Sequence, residues 1–210
     1  MTDLLIFPYN GNGIEAANGL PPEYRLIGFV DDLKEKQGTS ANGYEVFDRS
    51  AFQRYKSAKV LAVPGSPTSF QHRKTIISGL SIDTTRFATV IHPNAVVGKD
   101  ARMGMNLLLM AGVIITSNTI LGNNVCVLPN TVIHHDVTIG DYCLIGSGVV
   151  IGGYVQVGSE CYVGGGTTII NGVTIGNKTL IGMGSNVIRS WGEELKIAGN
   201  PAKILRHGNP

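Results

Sequence analysis

The chain has 210 residues, of which 17 are Lys or Arg and 15 are Asp or Glu, giving a formal net charge of +2. This near balance gives no indication of a nucleic acid partner. No apolar run approaches the roughly 20 residues that cross a bilayer, so we expect no membrane insertion. Three cysteines, an odd number without metal-site spacing, favour a reduced cytoplasmic protein without a bound metal.

Residues 1–85 predict a small α/β domain. Apolar runs at residues 4–7, 26–30 and 58–63 are strand candidates, and a helix is predicted to begin at Ile14. Strands that alternate with helical stretches indicate a small parallel sheet. The first domain is therefore predicted to be α/β.

Two loops of this domain carry residues typical of nucleotide sites. Gly11, Asn12 and Gly13 follow the first strand, and Asp31 and Asp32 end the second. A glycine loop and acidic residues at strand ends are found where nucleotides bind to parallel sheets. The loop is not a full dinucleotide fingerprint, however, and a structural turn explains it equally well.

A strict six-residue period begins at Ile91. Stepping by six as far as Val187 meets 17 aliphatic residues without a slip in phase. An α-helix cannot hold a period of six, whereas stacked coils of short strands bury such a column continuously. The period predicts a parallel β-helix over residues 86–190, followed by a C-terminal tail over residues 191–210.

Two further columns accompany the aliphatic one. Glycine follows the aliphatic residue at 10 of the 17 positions, and we expect it to supply turn angles that other residues resist. Small or β-branched residues stand two positions before the aliphatic residue. Cys143 and Cys161 fall in this column, so both are predicted to be core residues.

One turn of the repeat carries two histidines and an aspartate. His134, His135 and Asp136 follow the inward Ile133, where most turns carry glycine or other small residues. A neutral imidazole is suited to proton transfer near neutral pH, and a neighbouring carboxylate can orient it. From these residues alone, two exposed turn histidines explain the sequence at least as well as a catalytic pair.

The order of the parts resembles the NeuD/PglD-like sugar acyltransferases of the hexapeptide-repeat acyltransferase family. The matching segments span nearly the whole chain and are the glycine turn at residues 10–13, Gly-Phe-Val-Asp-Asp at 28–32, Phe-Ala-Thr-Val-Ile-His-Pro at 87–93 and Gly-Asn-Pro-Ala-Lys at 199–203. The resemblance implies a small Rossmann-like domain before a left-handed parallel β-helix with three strands per coil. It also implies a homotrimer that acetylates the amino group of a nucleotide-linked amino sugar with acetyl-CoA.

The resemblance assigns roles to particular residues. His135 would be the general base, Asp136 would orient it, and His134 would contact the substrate. In the family the N-terminal domain holds the nucleotide, and the residues implied for that role are Gly11, Asn12, Gly13, Asp31 and Asp32. Asn12 stands where many relatives carry histidine, which implies different contacts to the nucleotide sugar.

Coenzyme A in this family lies between two β-helices and is bound by backbone amides. The matching positions are Gly153 and Met183, with Gly164, Gly165 and Gly182 close by in the repeat. The tail adds basic residues that can meet the coenzyme phosphates or simply face solvent: Arg189, Lys196, Lys203, Arg206 and His207. Leu128 and Leu144 replace an asparagine and a histidine that relatives often carry near the acceptor and the thioester.

Three other functions remain open at this stage. O-acetylation of a sugar of the sialic acid type would use the same histidine and carboxylate. A metal hydratase of the γ-carbonic-anhydrase type needs three histidines that meet across a subunit interface, and the repeat offers only His92, His134 and His135. A scaffold without catalytic activity would leave the pair at 135–136 and the N-terminal domain unexplained.

Overall fold

A computed structural model describes residues 1–205 of the chain. The N-terminal domain contains a five-stranded sheet in the order β3-β4-β2-β1-β5, in which only the β3–β4 pair is antiparallel. Its strands are β1 (Thr2–Phe7), β2 (Tyr24–Val30), β3 (Gly38–Thr39), β4 (Glu45–Phe47) and β5 (Lys59–Ala62). The helices are α1 (Gly11–Asn18), α2 (Ala51–Arg54) and α3 (Arg73–Ser78). The predicted α/β domain is confirmed.

The glycine loop after β1 differs from its prediction. Helix α1 begins at Gly11 and not at Ile14, because Asn10 caps it by accepting a hydrogen bond of 2.9 Å from the Gly13 backbone N–H. A Cβ atom at Gly13 would lie 2.7 Å from the Pro8 carbonyl oxygen. The glycine at position 13 therefore allows the first turn of the helix to approach the end of β1.

The second domain is a parallel β-helix. In the described part of the chain, 17 two-residue strands follow one another: β6 (Val90–Ile91), β7 (Val96–Val97), β8 (Arg102–Met103), β9 (Leu108–Leu109), β10 (Ile114–Ile115), β11 (Ile120–Leu121), β12 (Cys126–Val127), β13 (Val132–Ile133), β14 (Thr138–Ile139), β15 (Leu144–Ile145), β16 (Val150–Ile151), β17 (Gln156–Val157), β18 (Tyr162–Val163), β19 (Thr168–Ile169), β20 (Thr174–Ile175), β21 (Leu180–Ile181) and β22 (Asn186–Val187). Two more strands close the helix, β23 (Lys196–Ala198) and β24 (Lys203–Ile204).

These strands form three sheets. Sheet 1 contains β6, β9, β12, β15, β18, β21, β23 and β24; sheet 2 contains β7, β10, β13, β16, β19 and β22; sheet 3 contains β8, β11, β14, β17 and β20. From β6 to β22, neighbouring strands of one sheet pair in parallel 18 residues apart, as Ile114 does with Val132, so a coil has three strands. The predicted fold class, α/β followed by a left-handed parallel β-helix, is confirmed.

The three sheets meet at three edges, which we name by chain direction. The first edge holds the turns from sheet 1 to sheet 2, the second edge those from sheet 2 to sheet 3, and the third edge those from sheet 3 back to sheet 1. A turn and the turn 18 residues later therefore lie side by side on one edge. This geometry decides which predicted site residues can meet.

The second residue of each strand points into the β-helix core. From Leu109 to Val187 this predicted column is buried, whereas Met103 in the first coil is 38% exposed because no earlier coil covers it. Cys143 and Cys161 are fully buried in the same core, as predicted. The three cysteines of the chain are free thiols.

The role expected of the repeat glycines is wrong. The ten glycines that follow the aliphatic residue do not have left-handed φ angles; a Cβ atom on any of them would lie closer than 3.0 Å to an atom of the next coil. The left-handed angles, 55° to 74°, occur two residues later, for example at Asn118, Asp136 and Tyr154. Close stacking of the coils therefore explains these glycines.

The N-terminal domain packs against sheet 1. Leu4, Ile6 and Phe29 of its sheet share a core with Leu108 and Leu144, which point outward from the β-helix. The opposite side of the N-terminal sheet packs against the helices that follow β4 and β5. Sheet 1 is thus covered by the chain itself.

The predicted boundaries at residues 85 and 190 remain predictions, although the structure describes what lies beyond the second. Strand β23 pairs in parallel with β21, and β24 pairs with β23, so this part of the tail continues sheet 1. The tail residues Arg206 and His207 lie outside the described residues. Within residues 1–205, no helix has the length and apolar character needed to span a membrane.

Candidate active site

His135 and Asp136 lie together on the second edge. The Nδ1 atom of His135 is 2.8 Å from Oδ2 of Asp136. Because an ionised carboxylate only accepts hydrogen bonds, Nδ1 carries the proton, and Nε2 is then the basic nitrogen. The His135 side chain is 46% exposed, so this nitrogen can be reached from outside the β-helix.

The carboxylate has a second partner from the preceding coil. Asn118 Nδ2 donates a hydrogen bond of 2.5 Å to Oδ1 of Asp136. The hydrogen bonds from Asn118 and His135 hold the pKa of Asp136 below its usual range. Asp136 therefore stays ionised and available to stabilise an imidazolium at His135.

Two residues of the following coil contact the His135 ring. Tyr154 meets it edge to face, with ring centroids 5.1 Å apart at an angle of 86°. Gly153 is buried beneath it, and a Cβ atom there would lie 2.7 Å from Cε1 of His135. Sequence reasoning missed Asn118 and Tyr154, although the period places residues 18 positions before and after Asp136 on the same edge.

His134 lies at the start of the same turn. Its side chain is exposed, and its backbone carbonyl accepts a hydrogen bond of 3.1 Å from the Thr119 hydroxyl. It borders the outer surface of sheet 2, because it directly follows β13. A role as a substrate contact stays a prediction.

Four of the residues predicted to bind the coenzyme lie together on the first edge. Gly164 and Gly165 follow β18, and Gly182 and Met183 follow β21 one coil later. A Cβ atom at Gly164 would lie 2.5 Å from the Met183 backbone nitrogen, and the Met183 side chain is 75% exposed. Gly164 is buried, Gly165 and Gly182 are half-buried, and Met183 is exposed, so the four residues form one strip along this edge, which we call the glycine strip.

The other two predicted coenzyme residues are placed differently. Lys203 is exposed at the end of this strip: it pairs with Ala198, whose side chain faces Gly182. Gly153 is instead on the second edge, beneath His135. Within one chain, sheet 2 separates Gly153 from the glycine strip.

The predicted nucleotide residues surround the carboxyl ends of β1 and β2. Asp31 is only 3% exposed and accepts hydrogen bonds from the backbone N–H groups of Tyr9 and Leu33, each 3.0 Å long. Its carboxylate also pairs with Lys36 Nζ at 3.1 Å. Asp31 therefore joins the loops after β1 and β2, and its oxygens are already engaged.

Asp32 forms a two-pronged ion pair with Arg49, with N–O distances of 2.6 and 2.8 Å. Gly11 and Asn12 lie in the first turn of α1, next to the capping Asn10. The structure thus gathers these residues at one end of the sheet without showing a ligand role for them. Their part in nucleotide binding stays a prediction.

A cavity of about 250 Å³ lies between α1 and the first edge of the β-helix. It is lined by Glu15, Ala16, Asn18, Gly19, Val90, His92, Leu108, Leu109, Met110, Ala111 and Pro129. A Cβ atom at Gly19 would collide with the His92 ring, so this glycine lets the histidine lie against the end of α1. In the sequence, the His-Pro pair at 92–93 stood out only as part of the family resemblance, and nothing indicated this cavity.

The three histidines of the repeat do not meet. His92 lies on the first edge, and His134 and His135 lie on the second. Among residues 1–205, no cluster of three or more His, Cys, Asp or Glu side chains has the geometry to hold a metal ion.

Comparison with known proteins identifies the repeat. The family model described as "Bacterial transferase hexapeptide (six repeats)" matches residues 118–153, which include the His135 turn. The match covers 36 residues, which is two coils of the β-helix. The resemblance to hexapeptide-repeat acyltransferases is therefore confirmed, while no curated protein matches the chain in sequence.

Solved structures show the same fold over the whole chain. The acetyltransferase domain of PglB from Neisseria gonorrhoeae FA1090, in complex with acetyl coenzyme A, has a TM-score of 0.85 at 24% identity, covering 97% of this chain and 98% of that one. A histidine-to-asparagine mutant of perosamine N-acetyltransferase from Caulobacter crescentus, with CoA and GDP-perosamine, has a TM-score of 0.83 at 23% identity, covering 98% and 97%. WeeI from Acinetobacter baumannii AYE has a TM-score of 0.81 at 22% identity, covering 98% and 100%. At these identities the similarity shows the two-domain fold.

Proposed function

We propose that the protein transfers an acetyl group from acetyl-CoA to the amino group of a nucleotide-linked amino sugar, in the cytoplasm, for surface glycan synthesis. The observation that carries this proposal is the His135–Asp136 pair, whose geometry leaves Nε2 of His135 basic and accessible. The substrate class is supported by the perosamine N-acetyltransferase of the same fold, which was solved with CoA and GDP-perosamine. The coenzyme class is also supported by the PglB domain, solved with acetyl coenzyme A.

The chemistry follows from the tautomer of His135. The amine nitrogen of the acceptor attacks the thioester carbonyl carbon, and Nε2 of His135 removes the proton that this nitrogen loses. A C–N bond forms, the C–S bond breaks, and the thiolate of CoA leaves and takes up a proton. Asp136 stabilises the imidazolium while it exists, because its carboxylate is 2.8 Å from Nδ1.

The proposed site needs a second copy of the chain. The base lies on the second edge, whereas the glycine strip at residues 164–165 and 182–183 lies on the first edge. Sheet 2 lies between these two edges, and its outward residues Ile114 and Val150 are 39% and 38% exposed. Packing sheet 2 around a threefold axis would bring the first edge of one copy beside the second edge of its neighbour. We therefore propose a homotrimer.

The cavity beside His92 is our candidate for the acceptor sugar. It adjoins the N-terminal domain and lies on the same edge as the glycine strip. Its lining is mostly apolar, with Glu15, Asn18 and His92 as polar groups, which is the usual composition of a small-molecule pocket. The proposed acceptor and donor thus share one edge, and the base comes from the neighbouring copy.

The proposal is tested by replacing the base. We expect His135→Ala to lower kcat for acetyl transfer by about 10²-fold or more, the usual contribution of a general base. The assay uses acetyl-CoA with UDP-, dTDP- and GDP-linked amino sugars, and the trimer mass is checked by light scattering. His72→Ala, which removes an exposed histidine of the N-terminal domain, is the matched control and should retain wild-type activity.

Two results would contradict the proposal. Near wild-type turnover in His135→Ala would move the base role to another group. Absence of turnover with every amino sugar, together with turnover of a sugar that offers only hydroxyl groups, would favour O-acetylation. His134→Ala separates binding from chemistry, because loss of a substrate contact raises KM while kcat is kept.

A further inference from the structure

Asp136 is held from both of its oxygens. Oδ2 accepts a hydrogen bond of 2.8 Å from His135 Nδ1, and Oδ1 accepts one of 2.5 Å from Asn118 Nδ2. A carboxylate with one partner can rotate about its terminal bond, whereas one with a donor on each oxygen is fixed in plane. The bond to His135 Nδ1 therefore keeps its direction because Asn118 occupies the other oxygen.

The His135 ring is also confined from the following coil. Tyr154 presents its ring at 86° to that of His135, and its backbone N–H donates to the His135 carbonyl oxygen at 3.1 Å. Gly153 lies against the imidazole from the same coil, because a Cβ atom at this position would come within 2.7 Å of His135 Cε1. Tyr154 is 60% exposed, so its ring contributes little to the buried core and its contact with His135 needs another explanation.

Residues 118, 136 and 154 occupy equivalent corners of three successive coils. Their φ angles are 55°, 58° and 63°, and the parallel register of β10, β13 and β16 stacks them in one line. Asn is common at such left-handed positions of this chain, as at Asn130. The corner explains an asparagine at 118, but it does not explain why its amide is directed at the Asp136 carboxylate.

We propose that Asn118 and Tyr154 are positioning residues for the proposed base, each acting through a neighbour and not on substrate. Asn118 fixes the carboxylate that keeps the proton on Nδ1 of His135, and Tyr154 limits rotation of the imidazole. In the neutral ring, they hold the proton on Nδ1, so that Nε2 is the free nitrogen and points outward from the second edge. This inference rests on the proposed function for its effect on rate, but the state of the imidazole can be measured without turnover.

The experiment combines kinetics with ¹⁵N NMR of the histidine rings. We expect Asn118→Gly, which tolerates the same φ angle, to lower kcat about tenfold with unchanged KM, a fraction of what a general base contributes. In the NMR spectrum, the His135 signals should change from a single Nδ1–H tautomer to a mixture. The His135 signals are assigned by their loss in His135→Gln. Lys178→Gly introduces glycine at an exposed left-handed corner of the third edge, away from the proposed site, and should alter neither reading.

Tyr154 is tested by two substitutions. Tyr154→Phe keeps the edge-to-face contact and should retain most of kcat, whereas Tyr154→Ala should lower kcat about tenfold at unchanged KM, a loss of about 1.4 kcal/mol in transition-state stabilisation. Tyr142→Phe is the matched control for removal of a hydroxyl at a left-handed corner of the third edge. A rise in KM without a fall in kcat would mean that Tyr154 touches substrate, and would overturn its positioning role.

The two levels of proposal fail in different ways. A single Nδ1–H tautomer and kcat within twofold of wild type in both Asn118→Gly and Tyr154→Ala would overturn the positioning proposal while leaving the acetyltransferase intact. If the wild-type protein acetylates no acceptor, the proposed function fails. The tautomer of His135 in Asn118→Gly then still decides whether Asn118 holds the dyad.

Discussion

Sheets 1 and 2 of the β-helix both carry outward-facing aliphatic residues, which are buried on sheet 1 and partly exposed on sheet 2. On sheet 1, Leu108 and Leu144 are 1% and 3% exposed, because the N-terminal domain covers them. On sheet 2, Ile114 and Val150 are 39% and 38% exposed in the single chain. Outward aliphatic residues thus occur both on sheet 1, which the same chain covers, and on sheet 2, for which we propose a cover from another copy.

Sheet 3 provides the reference for a face that stays in water. Its outward residues include Arg102, Gln156 and Thr174, all exposed. Apolar residues that are exposed together on a regular face commonly mark an interface. The difference between sheets 2 and 3 is what supports assembly through sheet 2, and it can be tested directly.

The largest expected effect comes from placing charge on sheet 2. The double variant Ile114→Asp and Val150→Asp should change the mass in solution from three chains to one, because buried unpaired carboxylates are costly. Acetyl transfer should fall about 10²-fold or more, since the base and the glycine strip would no longer meet. Size-exclusion chromatography with light scattering measures the mass, and Gln156→Asp on sheet 3 is the control. A wild-type protein that is monomeric would break the comparison between the two sheets.

A smaller effect, on the free energy of unfolding, distinguishes burial by the same chain from burial by a second copy. Leu108→Ala should lower the free energy of unfolding by about 2–5 kcal/mol at any protein concentration, because its cover is the same chain. The loss caused by Ile114→Ala should depend on protein concentration, because the cover proposed for this residue is a second copy. Urea unfolding at two concentrations that differ a hundredfold measures both. Concentration-independent losses in both variants would argue against the trimer.

The sequence predicted the periodic part of the molecule better than the rest. The 17 aliphatic positions gave the coils, and His135 and Asp136 were found because adjacent residues in one turn need no tertiary information. Asn118 and Tyr154 were missed because a period of six residues does not by itself say how many strands make one coil. Only a coil of 18 residues places these two side chains beside Asp136. The glycine column was found but explained wrongly. Glycine is required both by close approach between coils and by left-handed turn angles, and the sequence does not distinguish the two causes.

In the N-terminal domain, sequence patterns predicted the strands but not the contacts between polar side chains. Its apolar strands could be read from the sequence, but the hydrogen bonds by which Asp31 joins two loops could not. Arg73, which nothing in the sequence marked, is only 1% exposed. Asp31 depends on the meeting of two loops, and Arg73 on packing between α3 and the β-helix, and neither contact leaves a periodic pattern in the sequence.

Arg73 gives the smallest of these effects and tests how the N-terminal domain is held on the β-helix. It donates to the Pro64 carbonyl within its own domain and to the carbonyls of Asn124 and Tyr142 on the third edge, the latter two at 2.7 and 3.1 Å. Arg73→Met removes all three donors while keeping much of the volume, so we expect a loss of about 2–3 kcal/mol in unfolding free energy.

The neighbouring Lys74 is the matched control for Arg73. Its ion pair with Glu160 is 3.8 Å long and its side chain is 59% exposed, so Lys74→Met should change stability by less than about 0.5 kcal/mol. The losses from Arg73→Met and Leu108→Ala should be less than additive if both act by separating the N-terminal domain from the β-helix. Full additivity would mean that Arg73 stabilises α3 within its own domain, and that apolar packing on sheet 1 alone holds the two domains together.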